Sequence, residues 1–424
     1  MAVPAVDPQP TPGPLDGLRI VDLTTVIMGP YAAAILGDLG ADVIKVEEPA
    51  GDMARGIGPR RHPGMSGLAL NLNRNKRSVA VNLKAPEGRA VLADLVRGAD
   101  AVLTNLRPAS RERLGLTYEG LAAVNPGVVL CTAQAFRTGS DVENLAAYDD
   151  IVQARSGLTS LYQRAGGEQG YAPFVVADKV CGLTVVYSLL AALLHRQRTG
   201  EGQWVDVPMV DTMIAFNLVE HLNGHTFEPP EGGFGWSRVL TANRRPQRTA
   251  DGWVCLLPYS DRNWRDFFDH IGRPELGDDP RFGSIDGRHA NMAELLDLVA
   301  EAATGRTTAE WLEFCARVSI PATPVVDLED VPDDPYVREG GLVTTATHPS
   351  EGRYRTVSTP ARFSRTPGRL RRHAPRLGAD TRDVLAEAGH TVERIDSLLA
   401  AGVAYADGPT GTAAGGPAPI GMSR

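Results

Sequence analysis

The chain of 424 residues is long enough for more than one domain, and its 43% hydrophobic and 22% charged residues are typical of a globular protein. Its net charge of -8, from 43 basic and 51 acidic residues, argues against nonspecific binding to nucleic acid or an anionic membrane, since both need a positive field. The four cysteines form no CxxC pair, which favours a reducing, cytoplasmic location over a disulfide framework or zinc module. Residues 1–14 do not resemble a signal peptide, and no apolar run of about 18 residues predicts a membrane span.

Two terminal segments frame the predicted fold. Residues 1–14 are rich in Pro and residues 404–424 in Gly, Ala and Pro, so both are predicted to be disordered tails. The segment 15–207 alternates strand and helix patterns: strand Leu18–Leu23, helix Pro30–Leu39, strands Asp42–Val46 and Arg77–Leu83, helix Pro86–Arg97, strands Ala101–Leu103 and Val128–Leu130. This alternation predicts βαβ units and a parallel sheet, which binds ligands beyond the carboxyl ends of its strands.

The pattern changes after a predicted linker helix at 208–227. A Pro- and Gly-rich connection begins a predicted smaller domain at 228–330, in which Thr307 and Glu310 have the spacing of a capping box. From about Gly341 the chain has a strand-like pattern, and it ends in two predicted helices, Thr381–Ala388 and Thr391–Ala400. The fold class is therefore α/β, with a large parallel-sheet domain and a second, smaller domain.

Several familiar catalytic motifs are absent from the sequence. No GxGxxG fingerprint follows the first strand pattern, and no Walker A loop occurs. GxSxG and HExxH motifs are missing as well, so neither an ordinary α/β-hydrolase nor a catalytic metal is expected. A two-domain α/β enzyme of this kind needs another nucleophile.

Five segments, in order and with consistent spacing, resemble the signatures of one family: Leu15–Pro49, Asn75–Arg89, Asn105–Leu116, Tyr148–Gly157 and Ala177–Gln203. The chain resembles the class III CoA-transferases of the CaiB/BaiF family, to which formyl-CoA transferase belongs, from Leu15 to about Val403. The resemblance implies a Rossmann-like large domain made of 15–207 and 331–403, a smaller α+β domain, and an interlocked homodimer.

The resemblance also implies the reaction. The enzyme would move CoA from an acyl-CoA thioester to a carboxylic acid through aspartyl anhydride and aspartyl-CoA thioester intermediates. Acyl-CoA and a small carboxylic acid would be its substrates, with no tightly bound cofactor and no metal.

Asp178 is the catalytic residue that the resemblance assigns. It follows the apolar run Phe174–Ala177 and precedes a predicted helix, Val180–Arg196, so its carboxylate would lie at the positive end of a helix dipole. An aspartate of ordinary pKa is ionised at neutral pH and needs no general base. By composition alone, the same position suits a plain N-cap. In the family a mobile glycine-rich loop excludes water, and Gly232–Gly235 is the nearest match here.

CoA contacts carry over from the same resemblance. They are Ile27, Met28, the segment from Val81 to Lys84 beside the adenine, Asn105, Leu106, Arg107, Arg113 and Tyr148. A guanidinium such as that of Arg113 suits phosphate through paired hydrogen bonds, although a solvated helix charge explains the residue equally well. Glu48 and Ala146 replace basic ligands of formyl-CoA transferase, so phosphate binding is expected to be rearranged around Arg107.

Other polar residues have simpler explanations in the sequence. Lys76 and Arg77 are predicted to form an exposed turn before a strand. Cys181 is predicted to be a small core residue, and Asp149 and Asp150 are predicted to begin a helix.

Three alternatives to transfer between two acids remain open. An acyl-CoA racemase of the same family needs a His/Asp pair, but Tyr148 stands where the racemases have His, and tyrosine is a poor base at neutral pH. Transfer of CoA within one diacid would use the same Asp178. A non-catalytic acyl-CoA-binding protein would not need Asp178 at all.

Overall fold

A computed structural model describes residues 12–407. The described chain divides into two compact units. The first contains the described residues up to Gln153, Phe174–Met213 and the described residues from Pro335 onwards. The second contains Ala154–Pro173 and Ile214–Asp334.

The regular elements are numbered along the chain. The strands are β1 (Arg19–Asp22), β2 (Asp42–Glu47), β3 (Lys76–Val81), β4 (Ala101–Thr104), β5 (Val129–Thr132), β6 (Trp204–Asp206), β7 (Gln247–Arg248), β8 (Trp253–Leu256), β9 (Ala322–Pro324), β10 (Val343–His348), β11 (Gly352–Val357) and β12 (Ala404–Tyr405). The helices are α1 (Met28–Asp38), α2 (Gly67–Leu72), α3 (Pro86–Arg97), α4 (Pro108–Leu114), α5 (Tyr118–Val124), α6 (Asp149–Arg155), α7 (Leu158–Arg164), α8 (Val176–Thr199), α9 (Met209–His221), α10 (Asp261–His270), α11 (Ile285–Ala290), α12 (Met292–Ala303), α13 (Thr308–Val318), α14 (Pro335–Gly340), α15 (Thr381–Glu387) and α16 (Val392–Ala400).

A sheet with strand order β12-β3-β2-β1-β4-β5-β6 forms the centre of the first unit. Strands β1 to β6 are parallel, and β12 pairs antiparallel with β3 at one edge. The chain builds outward from β1 in one direction with β2 and β3, and in the other with β4, β5 and β6. The sheet therefore has a topological switch point between β1 and β4, where ligands of such folds bind. The predicted α/β fold class with a large parallel sheet is confirmed.

Helix α8 packs against α1 and β5 in the first unit. A side-chain carbon added at Gly182 would lie 2.9 Å from the Met28 carbonyl oxygen, so glycine permits this close approach of α8 to the start of α1. The helix has 24 residues and a window with a mean hydropathy of 1.6, enough by length and composition to cross a membrane, although 44% of that window is buried in the fold. Apolar helices that pack in the core of a protein have the same composition.

The second unit has its own core. Strands β7, β8 and β9 form an antiparallel sheet, and Val254 packs with aromatic side chains of the helices, among them Phe267 and Trp311. Thr307 and Glu310 form the predicted capping box at the start of α13.

Several sequence predictions differ from the structure. Lys76 and Arg77 do not form an exposed turn but begin β3, because the Lys76 side chain is fully buried against Asp22. Residues 154–173 belong to the second unit rather than to the large domain. Ala404 and Tyr405 are not part of a tail, because they pair with β3; the predicted tail segments 1–11 and 408–424 lie outside the described residues.

Candidate active site

A cavity of about 530 Å³ lies in the first unit, beyond the carboxyl ends of the parallel strands. Its size is typical of small-molecule sites. The loop after β1 supplies residues 25–28, the loop after β4 supplies 105–107, and the segment after β5 supplies 133–135. Residues 145–148 and Asp178 complete one side of the cavity. The cavity spans the switch point, where the sheet topology predicts a ligand.

Most of the site residues assigned by resemblance line this cavity, namely Ile27, Met28, Lys84, Asn105, Leu106, Arg107, Tyr148 and Asp178. Val81 does not: its side chain is fully buried within β3, and its place beside the adenine stays a prediction. Arg113 does not line the cavity either; it is exposed near the end of α4, where it donates to the Ser110 hydroxyl at 3.1 Å. Its contact with a CoA phosphate stays a prediction.

Asp178 lies in the first turn of α8, two residues after the helix begins. The helix begins at Val176 and not near residue 180, so Asp178 is not its N-cap as composition alone suggested. Val175 holds that position and provides no side-chain hydrogen bond. Asp149, at the start of α6, caps α8 instead, since its Oδ1 accepts from the Asp178 backbone N–H at 2.9 Å. The Asp178 side chain is thereby left to line the cavity.

The environment of Asp178 alters its acidity. Burial, followed by the nearby carboxylate of Asp149, raises the pKa of Asp178 from 3.8 to about 7. Both effects disfavour the charged form, one by desolvation and the other by like-charge repulsion. The carboxyl group is therefore only partly ionised at neutral pH, contrary to the expectation for an ordinary aspartate. Strongly shifted carboxyl groups in cavities are typical of catalytic sites.

Asp149 is a functional candidate that the sequence interpretation missed. It begins α6, as expected, but it is buried, and its Oδ2 accepts from the Gln153 amide at 2.5 Å. N–H donors therefore hold both of its oxygens, one of them from the first turn of α8. The order of residues alone does not indicate that Asp149, which is separated from Asp178 by α6, α7 and their connections, accepts a hydrogen bond from the first turn of α8.

Cys181 follows Asp178 by one turn of α8 and is fully buried. Burial, with Asp178 and Asp149, raises the pKa of its thiol to about 12. A thiol that stays protonated is a poor nucleophile. This supports the interpretation of Cys181 as a core residue.

Two cationic side chains line the cavity. Lys84 is exposed and pairs with Glu48 at 3.0 Å, and Arg107 is exposed and donates to the Asn144 carbonyl oxygen at 3.0 Å. Both stand at the solvent side, where they are free to reorient toward phosphate groups. The ammonium of Lys84 is thus paired with Glu48, and its contact with a CoA phosphate stays a prediction.

The predicted glycine loop belongs to the second unit. There the Gly235 N–H donates to the His221 carbonyl oxygen at 2.8 Å. That this loop covers Asp178 stays a prediction. Within residues 12–407, no group of three or more His, Cys, Asp and Glu side chains has an arrangement that suits a metal ion.

Comparison with known proteins places this site in a family. The profile of CoA-transferase family III matches residues 15–381. A succinate–glutarate CoA-transferase from Agrobacterium fabrum is 33% identical over 388 residues, covering 90% of this chain and 97% of that protein. A formyl-CoA:oxalate CoA-transferase from Escherichia coli is 30% identical over 413 residues, covering 91% and 98%. The crystal structure of a CaiB/BaiF family protein from Brucella suis has a TM-score of 0.75 at 30% identity, covering 89% of this chain and all of that one.

The chain belongs to CoA-transferase family III, as the five sequence segments indicated. It is an enzyme, a CoA-transferase, and CoA thioesters are its substrates.

Proposed function

We propose that the protein transfers CoA from an acyl-CoA to a small carboxylic acid by way of covalent intermediates on Asp178. The observation that carries the proposal is the half-buried Asp178 carboxyl group, which lines the cavity and has a raised pKa. The ionised form of such a group is poorly solvated and therefore a reactive nucleophile. The relatives are named for succinate, glutarate, formate and oxalate, all carboxylates, which supports an acid as acceptor.

The reaction divides into two halves. An Asp178 oxygen attacks the thioester carbonyl and expels the CoA thiolate, leaving a mixed anhydride on the protein. The thiolate then attacks the aspartyl carbonyl, releases the donor as a free carboxylate and leaves an aspartyl-CoA thioester. The acceptor carboxylate attacks this thioester and expels the thiolate, which attacks the acceptor carbonyl of the new anhydride. The product acyl-CoA leaves, and the Asp178 carboxylate is restored.

The helix terminus assists the anionic steps. Asp178 lies in the first turn of α8, where the positive end of the helix dipole favours negative charge. Water would hydrolyse both covalent intermediates, so we propose that a segment such as Gly232–Gly235 closes over the cavity during turnover.

The raised pKa of Asp178 also suits a general base, so the racemase alternative has a specific observation in its favour. The two mechanisms differ in the fate of the proton next to the thioester. A transferase leaves that proton in place, whereas a racemase exchanges it with solvent. Incubation of acyl-CoA with the enzyme in deuterated water is expected to give no deuterium at that carbon.

Substitution of Asp178 tests the covalent mechanism. We expect Asp178→Ala to lose CoA transfer by at least about 10³-fold while its dissociation constant for CoA stays within about threefold, because the other residues that line the cavity keep their contacts with CoA. Asp150→Asn is the matched control, since Asp150 is exposed beside Asp149. Transfer by Asp178→Ala at near-normal rates would contradict the proposal.

Two further properties belong to the proposal. We propose an interlocked homodimer, in keeping with the family resemblance and with an apolar stripe that the single chain leaves exposed along α8, formed by Leu183, Tyr187 and Leu194. We also propose a cytoplasmic location, in keeping with four free cysteines in the described residues.

A further inference from the structure

The loop that joins β1 to α1 contains a backbone conformation that its sequence disfavours. Val26 has a φ of 72°, in the left-handed region that β-branched residues rarely adopt. Val26 and its neighbours Thr25, Ile27 and Met28 line the CoA cavity. A conformation of this kind persists only where surrounding groups hold it.

Two side chains that also line the cavity hold the loop. Asn105 binds Thr25 on both sides of its backbone: its Oδ1 accepts from the Thr25 N–H at 3.0 Å, and its amide donates to the Thr25 carbonyl oxygen at 2.9 Å. Asp52 accepts from the Val26 N–H, at 3.0 Å to Oδ1 and 3.3 Å to Oδ2. Asp52 is buried and also caps the short 3₁₀ turn that follows it, accepting from the Ala54 N–H.

Behind Asp52 lies a fully buried lysine. The Lys45 ammonium donates to Asp52 Oδ2 at 3.0 Å and to the Thr24 carbonyl oxygen at 2.8 Å. Burial opposes its charge, but the surrounding carboxylates, led by Asp22, outweigh burial and raise the pKa of Lys45. Lys45 does not line the cavity. It interrupts the apolar run of β2 at a cost that a hydrophobic side chain would avoid.

We propose that Lys45 is a positioning residue for CoA, which acts through Asp52 and the Thr24 carbonyl to hold residues 24–27 in the strained conformation that shapes the cavity. The inference rests on the proposed function only in that the cavity binds CoA. Lys45 touches neither CoA nor the reacting atoms. Without its ammonium, Asp52 loses its charged partner, and Val26 is expected to relax toward negative φ, which moves the backbone that lines the site.

The test is a double-mutant cycle read by CoA affinity. We expect Lys45→Met to weaken CoA binding by at least about tenfold, as the loss of a charge-assisted contact predicts, with kcat at saturating acyl-CoA within about threefold of the parent. Val26→Gly is expected to restore most of that affinity in the Lys45→Met background, because glycine adopts positive φ freely. A merely structural lysine would give no such rescue.

Arg74→Met is the matched control, because Arg74 forms a buried ion pair with Asp38 at 2.6 Å, at the far end of α1. This variant is expected to lose thermal stability and keep its CoA affinity. If Lys45→Met fails to fold, Asp52→Asn replaces it, since the amide oxygen still accepts from Val26 but the charged pair with Lys45 is lost. Because Asp52 itself lines the cavity, its loss of affinity supports the inference only if Val26→Gly restores it. Parent-like CoA affinity in Lys45→Met or Asp52→Asn, or no rescue by Val26→Gly, would overturn the inference.

The test of Lys45 gives a result that is independent of the test of the proposed function. Calorimetric binding of CoA itself reports on the loop whether or not Asp178 forms a covalent intermediate. Loss of turnover in Asp178→Ala with intact CoA affinity reports on the chemistry whether or not Lys45 matters.

Discussion

Asp178 is subject to two opposing influences. The first turn of α8 favours a negative charge, whereas burial and Asp149 raise its pKa to about 7. Burial and Asp149 outweigh the helix dipole, so near neutral pH the Asp178 carboxyl group is divided between its protonated and ionised forms. As the proposed nucleophile, the group would gain reactivity when ionised but is ionised only in part.

The pH dependence of the reaction should report this balance. Because the nucleophile is the deprotonated form, kcat/KM for acyl-CoA is expected to rise with pH, with a midpoint near the pKa of about 7. Asp149→Asn should move the midpoint to lower pH, since it removes the like charge while its amide oxygen still accepts from the Asp178 N–H. The measurement is kcat/KM across neutral pH for the parent, for Asp149→Asn and for the control Asp150→Asn. The control is expected to match the parent. A midpoint that stays fixed in Asp149→Asn would show that Asp149 does not control Asp178.

The positions and contacts of these charged residues could be predicted from the sequence only in part. Asp178 was identified from a family resemblance, and the order of the sequence could not show that Asp149, 29 positions away, would lie against its backbone. Lys76 was misplaced for the same reason, because its partner Asp22 is 54 positions away. Long-range pairing of charges is not encoded in local patterns.

At the scale of elements, local patterns were more informative. Helix α3 has the predicted bounds, Pro86–Arg97, because Pro86 suits a first turn and Gly98 follows the last one. Strands β2 and β4 appear within one residue of their predicted bounds, because both are marked by apolar residues typical of buried strands, although Lys45 interrupts those of β2. The start of α8 was missed by four residues because its cap comes from α6 rather than from its own N-cap residue.

The cavity follows from the order of strands rather than from any single motif. Parallel strands on both sides of β1 predict a ligand at the switch point, and the cavity lies there. Residue-by-residue assignment rested on the family resemblance, and two of the assigned residues, Val81 and Arg113, do not line the cavity. The loop at Val26 could not be foreseen, because valine gives no sign of a positive φ.

At the scale of the whole molecule, the two units agree with an α/β enzyme that has a second domain. The chain leaves the first unit twice and returns to it at Phe174 and at Pro335, so the first unit is built from separate stretches of sequence. Sequence patterns indicated the second domain but not that residues 154–173 would belong to it, because no change of composition marks that boundary.

The proposed dimer gives a prediction at this scale. Light scattering at micromolar concentration is expected to give twice the chain mass, because the exposed apolar stripe of α8 would be covered by a second copy. If the two chains interlock, mixed tagged and untagged dimers should not exchange subunits unless they are first unfolded. A stable monomer would contradict the dimer, and rapid exchange would contradict the interlock.

The most direct test of the central claim is to trap the acylated protein. Incubation with acyl-CoA and hydroxylamine should convert the Asp178 side chain to a hydroxamate, because hydroxylamine attacks the activated aspartyl carbonyl. Peptide mass mapping is expected to find this change on Asp178 alone, dependent on acyl-CoA and absent from Asp178→Ala. Active enzyme that never yields a modified Asp178 peptide, or that yields the modification at another carboxylate, would contradict the account.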